Sequence, residues 1–201
     1  MSDEFVHRYP PDLERRRLTQ ATAAVGGLAI AGAAAPFLAS LAPSERARAQ
    51  GAPVEADASS LAPGELATIE WRGKPVWVLR RDENMLKRLA SMEYELTDPG
   101  SKVSSQQPEY ARNPTRSRRP ELFVAVGLCT HLGCVPAYLP EPGSLQPGWP
   151  GGFYCPCHGS KFDLAGRVYR GSPAPTNLVV PPYSFAAGDK IVIGEDETTS
   201  G

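Results

Sequence analysis

Cys129-Thr130-His131-Leu132-Gly133-Cys134 and Cys155-Pro156-Cys157-His158-Gly159-Ser160 hold all four cysteines of the chain and two of its three histidines. Thiolate sulfur and imidazole nitrogen are the donors of soft and borderline metals, so two stretches that pair them describe a metal site. Six side chains are candidates for it: Cys129, His131, Cys134, Cys155, Cys157 and His158.

Working outward, residues 121–128 (Glu-Leu-Phe-Val-Ala-Val-Gly-Leu) read as a buried strand running into the first motif, and 152–155 as a short strand running into the second. Residues 161–169 read as a hairpin turning at Leu164-Ala165-Gly166. Upstream, 65–70 and 75–80 flank Arg72-Gly73-Lys74 as another hairpin. Asp82 is placed to cap a helix over 83–95, with Met85, Leu86, Leu89 and Met92 on one face. Downstream, 177–180, 183–186 and 190–193 read as antiparallel strands, with Gly188-Asp189 as a turn. Residues 98–120 carry Arg112, Arg116, Arg118 and Arg119 and read as a solvated surface excursion. Pro and Gly crowd around 139–152 and 171–182, which favours a loop-rich β domain over disorder. The expectation is a mainly β, antiparallel domain over 61–201 with both motifs on loops at one end.

Residues 1–17 are polar and end in Arg15-Arg16-Arg17. From Leu18 to Ser44 no residue is charged, and the core of that run is Ala, Gly, Val, Leu and Ile. About 20 helical residues cross a bilayer, so 18–42 is long enough to be a transmembrane anchor. The three arginines favour a cytoplasmic N-terminus, a bias that Arg46 and Arg48 weaken. Paired arginines before Leu18-Thr19 and a mildly apolar run resemble a twin-arginine export signal. Cleavage at Ala47-Arg48-Ala49 or Ala42-Pro43-Ser44 is the alternative. The uncharged run, however, exceeds the roughly 7–15 residues of a signal core, which favours an uncleaved anchor. Small and polar residues over 43–60 read as a linker, inert or hinge-like. A net charge of -1 gives no electrostatic case for a nucleic-acid partner.

Structural zinc takes four ligands in a closed tetrahedron, and Cys-x-His is not its usual knuckle. Zinc would also leave two neighbouring thiols idle, and outside the cytoplasm such thiols oxidise. A binuclear iron–sulfur centre is the other choice. It takes four terminal ligands from the six candidates and leaves two cysteines.

With these motifs the chain resembles the Rieske iron–sulfur proteins of quinol-oxidising cytochrome bc complexes. The resemblance extends to Gly171-Ser172-Pro173-Ala174-Pro175-Thr176-Asn177-Leu178, the arginine-led anchor and the hinge. It implies a Rieske β domain with a cluster-binding loop subdomain and one [2Fe-2S] cluster per chain. Cys129 and Cys155 would bind one iron, His131 and His158 the other, and Cys134 and Cys157 would form a disulfide. Two ferric ions, two sulfides and two thiolates leave that centre neutral, so it accepts an electron against less repulsion than a four-thiolate centre, and its potential is raised. It would take one electron from ubiquinol, with the proton going to a cluster histidine, and pass the electron to a c-type cytochrome. His158 is the preferred partner of the quinol hydroxyl, with His131 close behind.

The same resemblance makes the Ser160 hydroxyl a donor to a bridging sulfide, Leu132 a cap facing the quinone pocket, and Pro173 part of a shielding loop. Ser172 stands as an insertion in the commoner Gly-Pro-Ala-Pro form of that loop. Gly133 and Gly159 would permit tight turns and let backbone N–H groups reach sulfur. The implied partners are cytochrome b and a c-type cytochrome in a dimeric complex, with the head in the periplasm of the cell membrane. Soluble Rieske ferredoxins and oxygenases lack the extra cysteine pair. The small subunit of an arsenite-oxidase-like enzyme and the plastoquinol–plastocyanin form are nearer alternatives. One departure is Phe162, where many relatives carry a tyrosine that donates to a ligand sulfur. Phe162→Tyr should therefore raise the midpoint potential and Ser160→Ala should lower it; a redox titration without an upward shift in the tyrosine variant refutes this role for position 162.

Overall fold

The computed structural model describes residues 12–42, 44 and 51–196. Most of the N-terminal segment, much of the linker and the Ala47-Arg48-Ala49 site lie outside the described residues. The chain divides into two units, Met1–Arg48 and Ala49–Gly201.

The first unit is helix α1, Leu13–Ser40. The Asp12 carboxylate caps it by accepting from the N–H groups of Glu14 and Arg15, each at 3.1 Å. The helix therefore starts ahead of the uncharged run and carries Arg15–Arg17 in its first turns. Its uncharged residues from 18 to 40 rise about 34 Å at 1.5 Å each, enough for a bilayer core. By length and composition α1 can cross a membrane, and none of its residues is buried within the unit.

Among the described residues, the second unit holds nine strands in three antiparallel sheets. The first sheet is a meander of β2 (Leu66–Trp71), β3 (Lys74–Arg80) and β4 (Leu122–Val126). Trp71 pairs with Lys74, so the β2–β3 turn is two residues, Arg72 and Gly73, both at positive φ (52° and 69°). This handedness matches the twist of the flanking strands. All five β4 residues are buried, as their apolar run predicts. A second sheet joins β5 (Ala137–Leu139), β6 (Gly152–Cys155) and β7 (Ser160–Phe162). Phe153 on β6 links the two sheets. It stacks on Trp77 at 4.8 Å and touches the rings of Phe123 and Tyr138. The third sheet has the order β1 (Val54–Asp57), β9 (Lys190–Ile193), β8 (Tyr183–Phe185).

Four expectations need correction. First, the linker expected over 43–60 includes β1, which pairs with β9 from Val54↔Ile193 to Asp57↔Lys190. Trp71 Nε1 also donates to the Ala52 carbonyl at 3.2 Å, so the head begins before residue 61. Second, residues 177–180 form no strand. Val179 O accepts from Val126, Leu178 N–H donates to Gly166 and Val180 N–H to Gln106, so the hydrogen bonds go to three different segments and no ladder forms. Third, the helix expected to reach 95 ends as α2, Glu83–Ser91, followed by a 3-10 turn at Glu93–Glu95. Asp82 caps α2, as expected, accepting from Met85 N–H at 2.7 Å.

Fourth, the 98–120 excursion is not simply solvated. Arg116 is fully buried, and its guanidinium donates to Ala165 O, Gly166 O, Gln106 O and Gln107 Oε1. A buried charge is tolerated when hydrogen bonds replace its water. Burial lowers the Arg116 pKa to about 10, against a smaller upward pull from Asp163. Arg81 is held the same way, donating to Thr115 O, Leu164 O and Ser117 Oγ, and burial lowers it to about 10. A third buried guanidinium, Arg167, meets Asp163 at 2.7 Å and donates to Leu89 O at 2.8 Å. All three converge on the turn 163–167, which directly follows β7.

Removing one partner of a buried ion pair leaves an uncompensated charge, at a cost of about 3–5 kcal/mol. Asp163→Ala should lower unfolding stability by that amount in a denaturant titration. Asp163→Asn, which keeps an acceptor for the Ala165 and Arg167 N–H groups but removes the charge, should cost less than Asp163→Ala and more than nothing; no loss in Asp163→Asn would show that the ion pair is not the cause.

Candidate metal centre

Loop one, residues 129–134, follows β4. Loop two is the four-residue connection between β6 and β7, whose end residues Cys155 and Ser160 are paired. The two loops fold alike at their hearts. Gly133 N–H donates to Cys129 O and Gly159 N–H to Cys155 O, both at 2.9 Å, with glycine φ values of 81° and 80°. A side chain at either glycine would be strained in this left-handed conformation. Cys129 N–H donates to Cys134 O at 2.7 Å and closes loop one. A disulfide between Cys134 and Cys157 joins the loops.

Cys129 and Cys155 remain free thiols and are buried, 3% and 2% exposed. His131 is half-buried and His158 exposed. The two imidazole rings meet edge to face, 4.7 Å between centroids. The sulfurs therefore lie inside, and the imidazole rings are the more exposed donors. The Sγ atoms of Cys134, Cys155 and Cys157 also lie within 4.8 Å of one another, but two of them are spent in the disulfide, so this trio is not a ligand set.

Burial raises the Cys155 thiol pKa, and neighbouring Cys129 raises it further. The N–H groups of Cys157 and His158 act in the opposite direction by donating to its sulfur. The N–H groups that reach the Cys155 sulfur are those of Cys157 and His158, while the Gly133 and Gly159 amides go to carbonyl oxygens. Among the described residues His131 Nδ1 is buried without a hydrogen-bond partner. A buried unpartnered nitrogen asks for a ligand. Two reduced thiols close together, two facing imidazoles and an orphaned ring nitrogen fit the two-thiolate, two-imidazole donor set of a Rieske centre.

A third loop lies against the other two. Ser160, fully buried at the start of β7, accepts from Ala174 N–H at 3.0 Å. Thr130 Oγ1 donates to Thr176 O at 2.7 Å and ties loop one to the same segment. Pro173 is exposed while Ala174 is buried. Phe162 is fully buried on β7, cross-strand from Phe153. Leu132 is 71% exposed and Val135 54% exposed, an unusual display for apolar side chains beside a site. Thr130 and Val135 escape the sequence reading. The only signal for Thr130 is a hydroxyl between two candidate ligands, and for Val135 an apolar residue directly after Cys134.

Residues 52–184 match the model of the Rieske [2Fe-2S] domain family. The chain is 55% identical to the ubiquinol–cytochrome c reductase iron–sulfur subunit of Allochromatium vinosum, over 92% of this chain and 89% of that protein. It is 40% identical to the subunit of the same name from Blastochloris viridis, over 87% of this chain and 88% of that one. Among solved structures, a chain described as hyperthermophilic respiratory Complex III aligns with 86% of this chain and 96% of its own. Its identity is 29% and its TM-score 0.47. The motifs, the disulfide and these identities make the chain a member of the Rieske [2Fe-2S] family, among the iron–sulfur subunits of bacterial quinol–cytochrome c reductases.

Proposed function

We propose that this chain takes one electron at a time from ubiquinol, with a proton going to a cluster histidine, and passes the electron to a c-type cytochrome. The observation that carries the reading is the sorted donor set: two buried reduced thiols, two imidazoles meeting edge to face, and a disulfide that removes the remaining cysteines. Cys129 and Cys155 would hold one iron, and His131 and His158 the other. When bound, the [2Fe-2S] group supplies a one-electron acceptor of raised potential. The chain's own residues do the rest. His158, exposed, offers a ring nitrogen to a quinol hydroxyl and takes up its proton there. His131, half-buried, serves mainly as a ligand. The disulfide keeps the two loops together while protonation changes. Leu132 and Val135 give an apolar rim suited to a quinol ring or an apolar socket on cytochrome b.

The same reading makes α1 an uncleaved anchor with a cytoplasmic N-terminus, targeted by its twin arginines, in a dimeric complex of the cell membrane. In this reading the hinge precedes residue 51, because Gly51 O accepts from Arg72 and Ala52 O from Trp71.

Reduced membranes carrying the full chain should give a Rieske electron paramagnetic resonance signal that shifts when a quinone-site inhibitor binds. A silent sample with one zinc per chain would overturn the assignment. Replacing two or three residues of 43–50 with proline should slow steady-state turnover severalfold while the spectrum stays unchanged; turnover at the original rate would remove the hinge from the reading.

A further inference from the structure

Ser172, the extra residue in the proline loop, is half-buried and its hydroxyl is committed to the main chain of Lys161. Its Oγ accepts from Lys161 N–H at 3.1 Å and lies 3.4 Å from Lys161 O. Lys161 sits in the middle of β7, where its cross-strand partner is Tyr154. Its own carbonyl, however, accepts from Tyr169 N–H at 3.1 Å, so its main chain turns away from β6 towards residues 169–172. A strand N–H facing that way needs an acceptor, and the Ser172 hydroxyl takes the place of a backbone carbonyl.

One residue earlier on β7, Ser160 Oγ accepts from Ala174 N–H at 3.0 Å. The two bonds run between the same pair of segments: Ser172 to Lys161, and Ala174 to Ser160. Because Ala174 N–H fills one lone pair of Ser160, it fixes the direction left for the Ser160 proton. Among the described residues that proton has no protein acceptor. Where Ala174 sits depends on how the loop is fastened two residues before it, at Ser172.

We propose that Ser172 is a positioning residue that aims the Ser160 hydroxyl at the bound centre, by fastening the proline loop to β7 and so placing the Ala174 N–H. The inference rests on the function proposed above, in which Ser160 donates a hydrogen bond to the centre. A donor that strengthens as negative charge arrives favours reduction, so a looser Ser160 lowers the potential.

The test is a redox titration followed by electron paramagnetic resonance on the full-length protein in its membrane. It compares the unsubstituted protein with Ser160→Ala, Ser172→Ala and Ser172→Thr. Ser172→Ala should shift the reduction equilibrium downward roughly threefold, about 28 mV at 59 mV per tenfold for one electron. Ser160→Ala should shift it further in the same direction, and Ser172→Thr, which keeps the hydroxyl, should hold the original value. Amide exchange at Lys161 should quicken in Ser172→Ala and not in Ser172→Thr. If Ser172→Ala fails to accumulate with its centre, Ser172→Val against Ser172→Thr makes the same comparison at equal shape. An unchanged potential in the variant lacking the hydroxyl, beside a lowered one in Ser160→Ala, overturns the role of Ser172 and leaves the function intact. An unchanged potential in Ser160→Ala overturns the proposal at its second link. Absence of any Rieske signal in the unsubstituted protein overturns the function itself.

Discussion

The centre depends on two loops that cannot hold themselves. Neither 129–134 nor 156–159 has a ladder of its own; each is kept by one or two backbone bonds and a glycine in a left-handed conformation. The Cys134–Cys157 disulfide supplies the missing constraint. It closes a stretch with a sequence separation of 23, which on loop-entropy grounds is worth about 3 kcal/mol. It also decides the chemistry. Four cysteines crowd a small volume, and pairing two of them leaves two thiols free, buried and close together. Without it, three sulfurs within 4.8 Å would offer a metal a different choice.

Behind the loops the interior is more polar than a small β domain usually allows. Arg81, Arg116 and Arg167 are all buried, and all reach the turn after β7. Only one of them, Arg167, has a close carboxylate. Backbone carbonyls and one side-chain oxygen each take the terminal nitrogens of the other two, and a guanidinium suits this because its donors form a fixed planar fork. β7 is thus held from both ends, by the second loop before it and by a turn pinned with three guanidiniums after it. Phe162 lies between them in the core, cross-strand from Phe153.

Legibility followed the strength of the local signal. The β2–β3 hairpin, β4 and β6 were readable because apolar runs or alternation coincide with turn residues such as Arg72-Gly73. The metal motifs were readable because their donors are close in sequence. β1 was not: Val-Glu-Ala-Asp has weak strand propensity, and only its pairing with Lys-Ile-Val-Ile makes it a strand. β5 fails the same test at three residues. Arg116 looked solvated because charge in sequence says nothing about carbonyls that arrive from fifty residues away. Residues 177–180 had the right composition for a strand and the wrong neighbours. At the site, the six candidates were all brought together, whereas the hydroxyl stitches of Thr130 and Ser172 depend on tertiary contact that no spacing encodes.

The pairing of β1 with β9 has a practical consequence for spectroscopy. Val54 is the cross-strand partner of Ile193, so the chain enters the head about 5 Å from the point where its last strand ends. A spin label or fluorophore near the carboxyl end of β9 therefore sits at the root of the tether. Such a probe reports on the residues where β1 and β9 pair, whereas one on the exposed rim at Val135 reports on the surroundings of the metal centre.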